Sequence, residues 1–302
     1  MFLAIYRKML GDLSDPKSLV AYLLGFLGVL FFLTLGFTNE IPDAVASLPL
    51  GEQELALLEV YAPLAWLFAV GIGLLVAGAL FVALTLATEA ERGTLDLVLS
   101  KPVSRWEVLL ATFLANVTFL VGLGIASLLL AAVALYQMGG FSTAALGGGV
   151  FGVFPAFVLY TLVIAAFINA VGMAASVFTR NRLQTAALTG VVPVLFFGLF
   201  VARVFPGSIY ENYSLYLFDV SYHFGNVFTV IYEAVVGQIP TAVQPRFGFW
   251  MGVYEVPDDP SAVDGSLELV GYVDPIVSLA LCLFLTVGLL AVALVKFQRL
   301  DI

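Results

Sequence analysis

The chain has 302 residues, 62% of them hydrophobic and 11% charged, and 12 Lys and Arg against 21 Asp and Glu give a formal net charge of −9. That charge is too sparse to cover a soluble protein, where about a quarter of residues are charged, and a mean hydropathy of +1.07 points to a polytopic membrane protein. The acidic balance excludes a nucleic-acid binder, and a single cysteine, Cys282, excludes a disulfide scaffold.

Residues 2–10 are amphipathic and carry Arg7 and Lys8, and Asp12, Ser14, Asp15 and Pro16 break the chain after them. Residues 1–18 therefore read as an interfacial helix, or more simply as a basic leader that sets topology. Six apolar runs long enough to span follow, at residues 19–37, 62–88, 108–136, 150–178, 185–205 and 275–295. The first imitates a signal peptide, with Ala44-Val45-Ala46 after it. Its apolar run is longer than such peptides use, and Asp12 and Asp15 sit in the leader, so it is expected to stay as a helix. The third and fourth runs exceed what a hydrocarbon core of about 30 Å needs and should tilt or project. The fifth is the weakest, with Pro193 inside it and Arg203 near its end.

Six spans put both termini on one side. Placing them in the cytoplasm with residues 89–107 and 179–184 puts 10 of the 12 basic residues there and leaves only Arg203 and Arg246 outside, as the positive-inside rule requires. The outer segments then hold 14 of the 21 acids. Such a face suits a high-salt source, or is simply an acidic loop in an ordinary one.

Two outer segments are substantial. Residues 51–59 have helical apolar spacing, and residues 206–274 form the longest loop. Within it Phe224, Val227, Phe228, Ile231 and Val235 recur on one helical face with Asn226, Thr229 and Glu233 opposite. That pattern predicts a short amphipathic outer helix. His223, the only histidine, sits among Tyr210, Tyr213, Tyr216, Asp219 and Tyr222. One His and one Asp are too few for a metal site, and an interfacial tyrosine belt is the plainer reading.

Polar residues inside the spans are few. Asn116, Thr118 and Asn169 could line a path or bond between helices. Gly71, Gly73, Gly78, Gly122, Gly124 and Gly172 suit close helix packing. No span carries a central acid, which argues against an ion-coupled carrier. Gly11 to Ser18 imitates a phosphate loop, but Pro16 stands where the second glycine is needed and has no N–H. No membrane-enzyme dyad is visible, so the chain reads as a non-enzyme.

Residues 89–107, between spans two and three, carry the most information. Gly93 permits a sharp turn, Thr94 can cap a short amphipathic helix from Thr94 to Leu99, Pro102 ends it, and Ser104 can cap the next helix. A small helix fixed by turns at both ends suits docking. Glu89, Gly93-Thr94-Leu95, then Ser100, Pro102, Val103, Ser104 and Arg105 closely resemble the signature of type-2 ABC-transporter permeases, and within them the chain is similar to the permease of the nitrous-oxide-reductase maturation transporter.

The resemblance implies an all-α membrane permease domain over residues 1–302. It would have six transmembrane helices, an N-terminal interfacial helix, a cytoplasmic coupling helix and short outer helices, in the plasma membrane. It assigns coupling to a separate ABC ATPase to Glu89, Arg92, Gly93, Thr94, Leu95, Leu97, Leu99, Ser100, Pro102, Ser104 and Arg105. Glu89 would anchor the loop at the membrane boundary, or simply be a solvated helix-end carboxylate. Arg105 would pair with lipid phosphate or the partner, or simply anchor the span. Two ATPase copies would carry the ATP and Mg, with no cofactor in this chain, and a second permease copy would complete an exporter. A maturation component for an extracellular metalloenzyme and a secondary carrier are the alternatives.

Overall fold

The computed structural model describes residues 2–38, 41, 45–95, 103–204, 207–257 and 265–299. Its helices in chain order are α1 (Phe2–Leu13), α2 (Pro16–Thr38), α3 (Leu50–Pro63), α4 (Leu74–Ala83), α5 (Leu86–Glu91), α6 (Arg105–Gly139), α7 (Phe154–Thr179), α8 (Arg182–Thr189), α9 (Val191–Val204), α10 (Gly207–Asn212), α11 (Val220–Val235), α12 (Gln244–Met251) and α13 (Pro275–Gln298). No strand occurs among the described residues. One isolated antiparallel bridge joins Tyr254 to Leu269.

Six helical stretches are long and apolar enough to cross a membrane: Pro16–Gly36, Leu50–Glu91, Arg105–Gly139, Phe154–Thr179, Arg182–Arg203 and Pro275–Gln298. They match the six apolar runs, with two corrections at their edges. The second span begins at Leu50, so the acidic stretch 51–59 is its extension rather than a separate outer element. No helix breaker separates the two until Pro63. That residue removes a backbone donor and crowds the preceding turn. The chain passes it in ten π-helical residues, Leu64–Gly73, the wider turn that absorbs such a fault. The fourth span starts at Phe154 rather than Val150, because a π turn over Gly147–Phe151 precedes it and Pro155 sits in its first turn, where a missing N–H costs nothing.

The fifth span survives its proline for a similar reason. It is interrupted at Gly190, which separates α8 from α9 and places Pro193 in the first turn of the new helix. The second span also breaks, at Leu84–Thr85, between α4 and α5.

In lipid there is no hydrophobic force between helices, so close approach and polar bonds hold them together. A Cβ on Gly78 would come within 2.7 Å of Ile168, and one on Gly172 within 2.6 Å of Val82, so these glycines set the spacing of the second and fourth spans. A Cβ on Gly124 would come within 2.5 Å of Thr161 and one on Gly71 within 2.9 Å of Phe196, whereas one on Gly73 would meet Phe26 at an ordinary 3.4 Å and one on Gly122 would meet nothing within 4 Å.

The amphipathic helix of the long loop forms as α11, and Phe224, Val227, Phe228 and Ile231 are buried. Of its polar face only Glu233 is exposed. Asn226 and Thr229 are 2% and 1% exposed while Val235 is 41% exposed. The reason is a second packing partner. Phe228 meets Phe157 and Tyr160 of α7, and on the other side Asn226 donates to Ser278 of α13 at 3.0 Å. Phe224 reaches Phe167, well down α7, while His223 contacts Ser278 in the first turn of α13. His223 bonds Ser278 Oγ through Nδ1 (3.0 Å) and the Leu217 carbonyl through Nε2 (3.2 Å). A carbonyl only accepts, so Nε2 carries the hydrogen.

Candidate functional site

At one end of the bundle the second span finishes in α5. Thr85 leaves helical geometry (φ −97°, ψ −105°), and its hydroxyl folds back onto the Val82 carbonyl at 2.8 Å. The six residues after it are too few to hold a helix by propensity, so neighbours hold it. Lys8 of α1 reaches Glu89 Oε1 at 2.7 Å and Asp12 at 3.3 Å. On the other side Glu91 accepts the Arg182 backbone N–H at 3.1 Å and faces its guanidinium at 3.9 Å. α5 is thus tied to the first helix of the chain and to the start of the fifth span. Burial opposes the charge on Lys8, but the Glu89 and Asp12 carboxylates outweigh it and raise its pKa above the ordinary lysine value.

Gly93 follows with φ +69°, a left-handed conformation that costs glycine nothing and other residues about 1–2 kcal/mol. Among the described residues nothing would lie within 4 Å of a Cβ here, so the backbone angle is what calls for glycine. The turn brings Thr94 back onto α5, where its hydroxyl donates to Glu89 Oε2 at 2.7 Å and to the Glu89 carbonyl at 3.2 Å. The N–H groups that Thr94 would cap, at residues 96 and 97, lie outside the described residues. Leu95 is buried and Arg92 exposed. Leu97, Leu99, Ser100 and Pro102 lie outside the described residues, so only the first two residues of the expected helix from Thr94 to Leu99 are described.

Past that stretch Ser104 starts the third span. Glu107 accepts its backbone N–H at 3.1 Å and its hydroxyl at 2.7 Å, the return half of a capping box. Arg105 Nη1 donates to the Phe297 and Gln298 carbonyls at 3.1 and 2.9 Å. That nitrogen closes the last turn of α13, where unpaired carbonyls and the helix dipole favour a cation.

A family model described as ABC-2 family transporter protein matches residues 3–302. The chain belongs to the ABC-2 transporter family. It is a multi-pass membrane protein and the permease subunit of an ABC transporter, and its family membership implies an ABC ATPase partner. No curated protein matches its sequence.

Asn116, Thr118 and Asn169, in the third and fourth spans of this ABC-2 permease, divide into two sites. Asn116 Nδ2 bonds Asn169 Oδ1 at 3.0 Å and Thr85 Oγ1 at 3.3 Å, and Asn169 donates to the Phe113 carbonyl at 2.9 Å. These contacts stitch spans two, three and four together at the break above α5, which is the interhelical role. Thr118 accepts from Tyr6 of α1 at 3.1 Å, so the same N-terminal helix that holds Glu89 also rests on the third span.

Lys8, Glu91 and Arg182, which tie down α5, were not legible in the sequence as site residues, because their contacts join segments far apart in the chain. Nor was a buried pair at the opposite end of the ABC-2 bundle. Arg203 Nη1 meets Asp219 Oδ2 at 3.0 Å, with side chains 12% and 0% exposed, and Nη2 donates to the Trp250 carbonyl at 3.0 Å. Asp219 caps α11 through the N–H groups of Ser221 and Tyr222 and accepts the Tyr210 hydroxyl at 2.8 Å. The only signal in the sequence was a lone arginine ending an apolar run and an aspartate before an amphipathic one.

Proposed function

We propose that α5 and the Gly93 turn are where this permease receives force from its ATPase, and that the transporter works as an exporter in the plasma membrane. The observation that carries this reading is the short helix α5, cut loose from α4 at Thr85 and latched by ion pairs to α1 and α8. Such an element can shift as a unit and carry the shift to the first, second and fifth spans. The charge asymmetry places this end, and both termini, in the cytoplasm, where ATP is available. Two ATPase copies supply ATP and Mg to a pair of identical permeases, with Glu89, Arg92, Gly93, Thr94 and Leu95 leading into the docking helix.

An apolar groove of about 680 Å³ lies between the second and fifth spans, lined by Ile72, Val76, Leu80, Pro193, Val194 and Phe197 among others. Its walls suit an apolar or amphipathic cargo rather than an ion. The test is co-purification of the tagged chain from native membranes in mild detergent. Recovery of a subunit with a phosphate loop, cross-linking to a cysteine at Thr94, supports the reading. A permease that stays folded and brings down no ATPase overturns it.

A further inference from the structure

At the end of the bundle away from α5, an open cleft of about 820 Å³ lies among α10, the end of α12 and the paired segments around Tyr254 and Leu269. Phe249, Tyr254 and Tyr272 supply aromatic walls, Glu211 and Glu255 supply carboxylates, and Arg203 also lines it. The arginine does not set the sign of the site, because its guanidinium is held by Asp219 and the Trp250 carbonyl. The two glutamates do. Tyr272 donates to Glu211 Oε1 at 2.6 Å and is braced by Tyr216, stacked on it at 4.6 Å between centroids. That fixes one carboxylate at the rim of an aromatic ring. The Glu255 carboxylate has no ion-pair partner among the described residues, and its backbone is pinned by a bond to the Glu268 carbonyl at 2.9 Å.

We propose that this cleft binds an organic cation, an amine or quaternary ammonium, between its aromatic walls and the carboxylates of Glu211 and Glu255. Aromatic faces attract cations through their quadrupole, most strongly where water is partly excluded, and the volume is that of a small-molecule site. A hard metal ion fits less well. It needs six or more oxygens, whereas no group of three or more His, Cys, Asp or Glu side chains able to hold a metal occurs among the described residues.

The test uses the full chain in phosphatidylglycerol nanodiscs, free of choline lipids, with choline as the probe and calorimetry as the readout. Choline should bind saturably. Its neutral carbon isostere, 3,3-dimethylbutan-1-ol, should bind about tenfold more weakly or less, and Glu255→Gln should weaken choline by about five- to tenfold. Glu255 is exposed, so this variant should melt like the parent, and Phe249→Ala, at a half-exposed ring, provides a second variant with the same expected loss. No choline binding, equal binding of the isostere, or unchanged affinity in both variants overturns the proposal. Displacement of choline by millimolar calcium with tighter binding of its own overturns it in favour of a metal site.

Discussion

Arg182 and Arg203 stand at the two ends of the fifth span and make two different kinds of ion pair. Arg182 faces Glu91 at 3.9 Å with both side chains well exposed. Arg203 meets Asp219 at 3.0 Å with the carboxylate fully buried. An exposed pair contributes roughly 0–1 kcal/mol and is weakened by salt. Breaking a buried pair by removing one partner costs about 3–5 kcal/mol, because the other charge is stranded. One end of the span is therefore latched and the other locked. If force passes through α5 as proposed, that asymmetry suits it: the latch can yield without unfolding the protein, while the lock holds α11 against the fifth span.

The largest effect should come from opening the lock. Asp219→Ala strands Arg203 and removes the cap of α11, so thermal unfolding in detergent should show a loss of about 3–5 kcal/mol. Replacing both partners with apolar residues of similar volume should cost much less. Arg182→Ala should lie within about 1 kcal/mol of the parent. If the Asp219 and Arg182 variants melt alike, burial is not what separates the two ends.

Next comes the turn that follows the latch. Gly93→Val forces a β-branched residue to φ +69°, at a cost of about 1–3 kcal/mol. Because no described residue crowds the position, the damage should fall on the direction of the chain leaving α5. Permease-stimulated ATPase activity should drop severalfold or more while the melting temperature falls by only a few degrees, and Gly93→Asn, which tolerates the left-handed region, should retain most of it. Full activity in the valine variant would remove the turn from the mechanism.

These two regions also differ in how much their sequence revealed. The spans were legible because apolar runs are local, and the turn at Gly93 and the start at Ser104 because turn and cap chemistry is local. The merging of residues 51–59 into the second span was not, since the breaker at Pro63 is absorbed by a change of helix type that no residue spacing announces. Arg203 and Asp219 lie sixteen positions apart across an irregular loop, and nothing in the run of residues says that they meet. The same is true of Lys8 and Glu89, whose contact depends on α1 folding back against the end of the second span.

A smaller effect is expected where the spans are stitched beneath α5. Asn116→Leu removes the donor to Asn169 and Thr85, and interhelical bonds of this kind contribute about 0.6–2 kcal/mol. A melt lowered by that amount, together with greater mobility of α5 in spin-label spectra, would place the Thr85 break under the control of this bond. A change in stability with no change at α5 would confine Asn116 to packing.

The smallest effect belongs to the latch itself, and pH isolates it. The lysine pKa is raised by Glu89 and Asp12 against the opposing effect of burial, so the folded protein holds the Lys8 proton more tightly than the unfolded chain does. The pair's contribution is therefore fully present below the ordinary lysine value of 10.5 and is lost as pH rises through the higher folded value. Spin labels at Leu3 on α1 and Arg92 beyond α5, both exposed, should keep one distance up to about pH 10 and broaden above it. Lys8→Arg should abolish that alkaline transition, because the guanidinium stays charged, whereas Glu89→Gln should leave the broad distribution at every pH. A transition that persists unchanged in Lys8→Arg would assign it to another group, and α1 would then be held by Tyr6 and its apolar face rather than by charge.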